Sequence, residues 1–133
     1  MKSEAQKTSK KDGKSTMEEL DRKIYTLLKR IGVPANLDGH AYITAALHIL
    51  LDKGYHRIPI TGPYGLYARI AKQHNTTPGR VERSIRHAAE AVFLRISPEL
   101  SEQIFGASID PHKGKLPNGD FLHQLALEIK YAQ

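Results

Sequence analysis

Apolar residues recur at three- and four-residue intervals along most of this chain, the pattern of helices with one buried face. The clearest stretch runs from Leu66 to Arg95, LYARIAKQHNTTPGRVERSIRHAAEAVFLR. Its first part, Leu66 to His74, places Leu66, Tyr67, Ile70 and Ala71 on one side of a short helix. Asn75-Thr76-Thr77-Pro78-Gly79 then breaks the pattern. Thr77 can act as an N-cap, because its hydroxyl accepts a free backbone N–H. Pro78 takes the first helical position, where its missing N–H costs nothing. The second helix is expected from Pro78 to about Leu94. At about 3.6 residues per turn, Val81, Ile85, Ala88 and Val92 fall in one narrow sector. Arg83, Arg86, His87 and Glu90 project the other way, with Arg80 and Glu82 on the flanks. Two short helices around a tight polar break form a helix-turn-helix pattern, whose second helix can lie in a DNA major groove.

The remaining elements follow the same logic. Met17 to Ile31 carries Leu20, Ile24, Leu27, Leu28 and Ile31 at helical spacing, and Gly32 with Pro34 ends it. Asp38 is an expected N-cap for a helix through Leu51, with Ile43, Ala46, Leu47 and Leu50 buried. Residues 54–65, GYHRIPITGPYG, are too rich in Gly and Pro for a regular element, and Ile58 and Ile60 are expected to reach the core. Ser97-Pro98 opens a short helix to Phe105 that Gly106 closes. Residues 107–117 form a loop, and Asn118 or Asp120 is expected to cap a final helix bearing Phe121, Leu122, Leu125 and Ile129. No strand pattern or internal repeat is present. The expected fold class is all-α, about six helices with a central helix-turn-helix. Residues 1–19 lack apolar periodicity and read as a disordered tail or linker remnant ahead of one domain over residues 20–133.

Charge sharpens this picture. The net charge is +6, and residues 69–95 alone hold six Lys or Arg against Glu82 and Glu90. A basic cluster on one element is the footprint of a phosphate-backbone binder. An anionic membrane surface would ask for a bulky exposed apolar face, whereas the apolar face here is small and Ala-rich, so no membrane role is expected. Cysteine is absent, which fits a reducing cytosol. No apolar run has the length of a membrane span or a signal peptide. A cytoplasmic protein is the expectation.

Other chemistries find little support. His40, His48 and His56 are spaced by eight, whereas zinc ligands on one helix sit four apart, so ordinary His and no metal are expected. TGPYG lacks the Lys-Ser/Thr of a phosphate-binding loop, and no G-x-S-x-G is present, so neither an enzyme nor a cofactor is expected. Tyr42, Tyr55, Tyr64 and Tyr67 could stack bases, but their surroundings favour core packing. On the second helix, an Arg fork can grip O6 and N7 of guanine, and Glu82 can accept from a cytosine amino group. A merely solvated helix face accounts for the same charges equally well.

NTTPGRVERSIRHAAEAVF resembles the recognition helix of the C-terminal effector domain of stage 0 sporulation protein A, the response regulator of endospore formation. RIGVPANLDGHAYI resembles the same domain upstream, and LPNGDFLHQLALEIK resembles its last helix, so the likeness covers roughly residues 20–133. It implies an all-helical, sequence-specific double-stranded DNA binder. Glu82, Arg83 and Arg86 would read bases. Arg80, His87 and the turn residues Asn75, Thr76 and Thr77 would hold phosphates, with Lys72, Gln73 and His74 beside them. It also implies binding to tandem boxes with self-association on DNA, and a contact with the sigma subunit of RNA polymerase, for which Ser97 to Lys115 is the candidate region. Self-association would use the last helix, Asn118 to Tyr131, or the loop Ala107 to Pro117. The family carries a small hydroxyl residue before Arg80, where this chain has Pro78-Gly79, which removes one phosphate contact. The family's receiver domain has no counterpart here, so an excised effector domain and a stand-alone relative are both open. The competing reading is a protein-interaction module built on a degenerate helix-turn-helix, which would have no need of the Arg/Glu set.

Overall fold

The computed structural model describes residues 2–106 and 116–132, with side chains described from residue 17 onward. Among the described residues six helices follow one another: α1 (Lys2–Ile31), α2 (Asp38–Leu50), α3 (Leu66–Gln73), α4 (Pro78–Arg95), α5 (Pro98–Phe105) and α6 (Asn118–Tyr131). Among the described residues there is no strand, and no helix is long and apolar enough to cross a membrane. The all-helical class expected from the periodicity is the observed one.

Caps and breakers set most of the boundaries. Gly32 (φ 87°) lets the chain turn back on α1, with Val33 N–H donating to the Leu28 carbonyl and Gly32 N–H to that of Lys29. This is the glycine-terminated closure that a side chain with a Cβ adopts poorly. Ser97 accepts from Leu100 N–H (3.1 Å) at the start of α5, with Pro98 in the first turn. Three expectations need correction. Helix α1 starts at Lys2, not near Met17, because its Lys, Glu, Gln and Ala residues are competent helix formers without an apolar stripe. Asp38 is the first residue of α2 and Leu37 occupies the cap, so the carboxylate acts on the helix dipole and not as a cap. Neither Asn118 nor Asp120 caps α6; Pro117 holds that place without a side-chain bond. Residues 107–115 of the expected loop lie outside the described residues.

Helix α2 runs through the centre, packing on α4 most extensively and also on α1, α3 and α6. Its buried face is Gly39, Ile43, Ala46, Leu47 and Leu50. Close-packed interiors tolerate no wasted volume, and Gly39 marks a close approach between two helices: a Cβ there would fall within 2.7 Å of Ala88 Cβ and collide with the Ser84 carbonyl. Helix α4 therefore lies backbone-to-backbone against α2. The other end of the core is aromatic. Phe105 and Phe121 stack with centroids 5.7 Å apart, and Phe93 meets Phe121 edge-on at 5.9 Å. Ile58 and Ile60 pack half-buried against the core. Tyr67 is buried and Tyr42 and Tyr55 partly so, but Tyr64 is 83% exposed, because its Gly/Pro-rich loop holds it outside the core.

His123 is the buried polar side chain among the described residues, hydrogen-bonded through Nδ1 to the Tyr55 hydroxyl (2.6 Å). Burial, and then the charge of Arg57, disfavour its imidazolium and push its pKa below the ordinary histidine value, against smaller opposing effects of Asp120 and the Ile58 backbone. The unfolded chain therefore takes up this proton first as pH falls. Its contribution to stability is complete above about 6.5, the unfolded histidine value, and is lost as pH drops below it toward the folded pKa. Melting temperatures measured from pH 8 to pH 5 should be flat at the alkaline end and fall at the acid end. In His123→Asn the acid-side fall should shrink; an identical profile would show that another group drives it.

Candidate nucleic-acid interface

Helices α3 and α4 pack against each other around a turn whose geometry is set by Asn75. Asn75 adopts φ 53°, a left-handed conformation that Asn tolerates better than most residues. Thr76 N–H then donates to the Ala71 carbonyl (2.9 Å), closing α3 while its C-cap, His74, still donates to Ile70. The next residue, Thr77, is the N-cap of α4. Its hydroxyl accepts from Arg80 N–H (3.2 Å), and Pro78 occupies the first turn. A capped threonine hydroxyl keeps its own hydrogen to give.

Helix α4 is two-faced, as the spacing predicts. Val81, Ile85, Ala88 and Val92 are buried, and Ala89 joins them. Arg80, Arg83, Arg86 and His87 are exposed, and Glu82 is half-buried on the flank. On the preceding helix and turn, Lys72, Gln73, His74, Asn75 and Thr77 are exposed and Thr76 is half-buried. All the expected site residues thus lie on α3, the turn or α4 with some surface open to solvent. Thr77 and Asn75 also have structural duties, as cap and as left-handed turn residue. His74 meets Tyr42 edge-on, with ring centroids 5.2 Å apart.

The charges on this surface are unevenly partnered. Arg86 Nε donates to Glu82 Oε2 (3.0 Å), one turn away on the same helix. This hydrogen bond, and then the carboxylate's charge, raise the Arg86 pKa above its already high value. Such exposed pairs are weak and are readily exchanged for another partner. Among the described residues, the side chains of Lys72, Arg80 and Arg83 have no ion pair or hydrogen bond. Three cations near the start of α4 and the end of α3 are therefore available to an external anion, and phosphate is the one their spread along two elements suits.

Some contributors are not legible in the sequence. Arg69 Nε donates to the Tyr64 carbonyl (3.1 Å), fixing the loop that enters α3. Asn118 Nδ2 donates to the Glu82 carbonyl (3.0 Å) from across the chain. Tyr67, Glu82, Arg86, Phe93, Leu116 and Asn118 help to line a groove of about 410 Å³ beside α4. Helical spacing reports which face is buried, not which distant side chain meets it. The histidines considered for metal binding have protein partners: His48 meets the Asp21 carboxylate, His56 the Asp52 carbonyl, and His40 the Tyr25 ring.

Gly79 has open space where a Cβ would stand, so packing does not require glycine at this position. The family model described as sporulation initiation factor Spo0A C terminal matches residues 24–129. That span runs from the buried part of α1 into the last turn of α6, and the chain therefore belongs to this family of DNA-binding effector domains of the sporulation regulator.

Proposed function

We propose that this chain is a sequence-specific transcription regulator that places α4 in the major groove of double-stranded DNA. The observation that carries the reading is the set of unpartnered cations, Lys72, Arg80 and Arg83, around a capped helix start. Residues 20–133 act as the effector domain and residues 1–19 as a segment ahead of it. Arg83, Glu82 and Arg86 read bases, the last two after giving up their mutual pair. Lys72, Gln73, His74, Asn75, Thr76, Thr77, Arg80 and His87 hold phosphates. A single recognition helix covers too few base pairs to pick out a site in a genome. Two copies therefore associate on tandem boxes, through α6 or the segment before it, of which residues 107–115 lie outside the described residues. The region Ser97 to Lys115, of which residues 107–115 lie outside the described residues, meets the sigma subunit of RNA polymerase. The exposed cations argue against an interaction module that dispenses with DNA, which would gain nothing from them.

The test separates readers from holders, using a duplex that the chain itself selects from a random pool and a scrambled duplex of the same composition. Arg83→Ala should weaken binding to the selected duplex by about 1–3 kcal/mol and relax its sequence preference. Lys72→Ala should weaken both duplexes alike and flatten the salt slope by about one unit. Equal effects of the two substitutions on both duplexes would refute the assigned roles.

A further inference from the structure

Asn118 opens α6 yet does not cap it. Its side chain crosses instead to the helix-turn-helix. Nδ2 donates to the Glu82 carbonyl (3.0 Å), in the second turn of α4. The same side chain lies beside Tyr67 of α3 in the groove that both line, and its amide opposes the burial that raises the phenol's pKa. The Glu82 carbonyl has a second lone pair, so the bond from Asn118 adds to the helix's own ladder and does not replace part of it.

The bracing end is itself fixed. A Cβ on Gly119 would approach Ile60 Cγ1 to 3.1 Å, and Phe121 and Leu122 are fully buried. No buried side-chain nitrogen or oxygen among the described residues lacks a partner. A satisfied polar network of this kind fixes one arrangement, where apolar packing alone permits small slides and rotations. Glu82 is also the residue whose carboxylate holds Arg86 (3.0 Å).

We propose that Asn118 is a positioning residue: by tying the start of α6 to the Glu82 carbonyl of α4, beside Tyr67 of α3, it sets the height and rotation at which α4 presents its base-reading side chains. This rests on the DNA reading above, and it assigns to α6 a part in sequence discrimination without contact to DNA. Base readout depends on bidentate geometry and tolerates little displacement. Phosphate attraction is long-ranged and tolerates far more. Loss of the brace therefore lowers discrimination before it lowers general affinity.

The experiment uses the full chain with Asn118→Ala, Asn118→Asp and Tyr67→Phe, on the selected and scrambled duplexes at fixed salt. Asn118→Ala should reduce the selected-to-scrambled affinity ratio about fivefold, within the range of a net hydrogen bond, while scrambled-duplex binding stays unchanged. Asn118→Asp keeps the size of the side chain but has no donor for the Glu82 carbonyl, and its ratio should also fall. Tyr67→Phe keeps the ring and the α4 bond, and should fall less. Amide exchange in the free protein provides a DNA-independent arm: Asn118→Ala should speed exchange over Glu82 to Arg86 and leave Val92 to Arg95 unchanged. An unchanged ratio, equal losses on both duplexes, or unaltered exchange would each overturn the proposal. If the unmodified chain selects no sequence, the DNA reading itself fails, before any variant is made, and the exchange arm alone then decides whether the brace exists.

Discussion

Gly39→Ala should destabilise the fold by about 3 kcal/mol, the upper part of the usual range for overpacking, and should impair DNA binding more than its position suggests. The added Cβ would meet the Ser84 carbonyl and come within 2.7 Å of Ala88 Cβ. Neither can move as a flexible side-chain end would. One is backbone of α4, and the other sits in a fully buried position. Relief requires α4 to shift away from α2, carrying Arg80, Arg83 and Arg86 with it. Chemical denaturation gives the stability change, and the selected duplex gives the binding change at a temperature where the variant is folded. Gly79→Ala is the matching control, since nothing lies within 4 Å of the new atom. It should be neutral or slightly stabilising in a helix. A Gly39→Ala protein as stable as the parent would show that the two helices are less tightly apposed than described.

Phe121→Ala should cost about 3–5 kcal/mol, the range for deleting a buried aromatic ring. Phe121 is fully buried, stacked on Phe105 at 5.7 Å and met edge-on by Phe93. Its removal leaves a cavity that the surrounding helices can close only by moving. Helix α5 packs chiefly on α6, so α5 should loosen first. Urea denaturation followed by near-ultraviolet signal and by backbone signal should then cease to coincide, a departure from two-state behaviour. A loss under about 1 kcal/mol would place Phe121 outside the structural centre, since deleting a buried aromatic side chain costs about 3 kcal/mol or more.

The helix-turn-helix was legible because each of its parts depends on near neighbours. Thr77 caps within three residues, Pro78 needs only its own position, and Val81, Ile85, Ala88 and Val92 repeat on one helix. The same holds for Ser97 and for the Gly32 stop. What escaped the sequence depends on distant partners or on a missing pattern. Asn118 looks like a cap from its place before an apolar run, and only the fold shows Glu82, 36 residues back, receiving its amide. Gly39 carries no side chain to announce the helix it touches. The early part of α1 has no apolar stripe, so periodicity was silent where propensity was not. In the site, spacing gave the exposed face of α4 but not the Glu82–Arg86 pair, which one rotamer choice can make or break.

The contact at Gly39 also bears on how such a domain changes its target over evolutionary time. Because α2 meets α4 through the Ser84 carbonyl and the small Ala88 side chain, the anchoring of α4 makes no use of its outward residues. Inheritance can therefore preserve the seat of the helix while substitutions on its exposed side retune which DNA is preferred. Innovation in sequence preference is thus separated from conservation of the scaffold, along the two sides of a single helix.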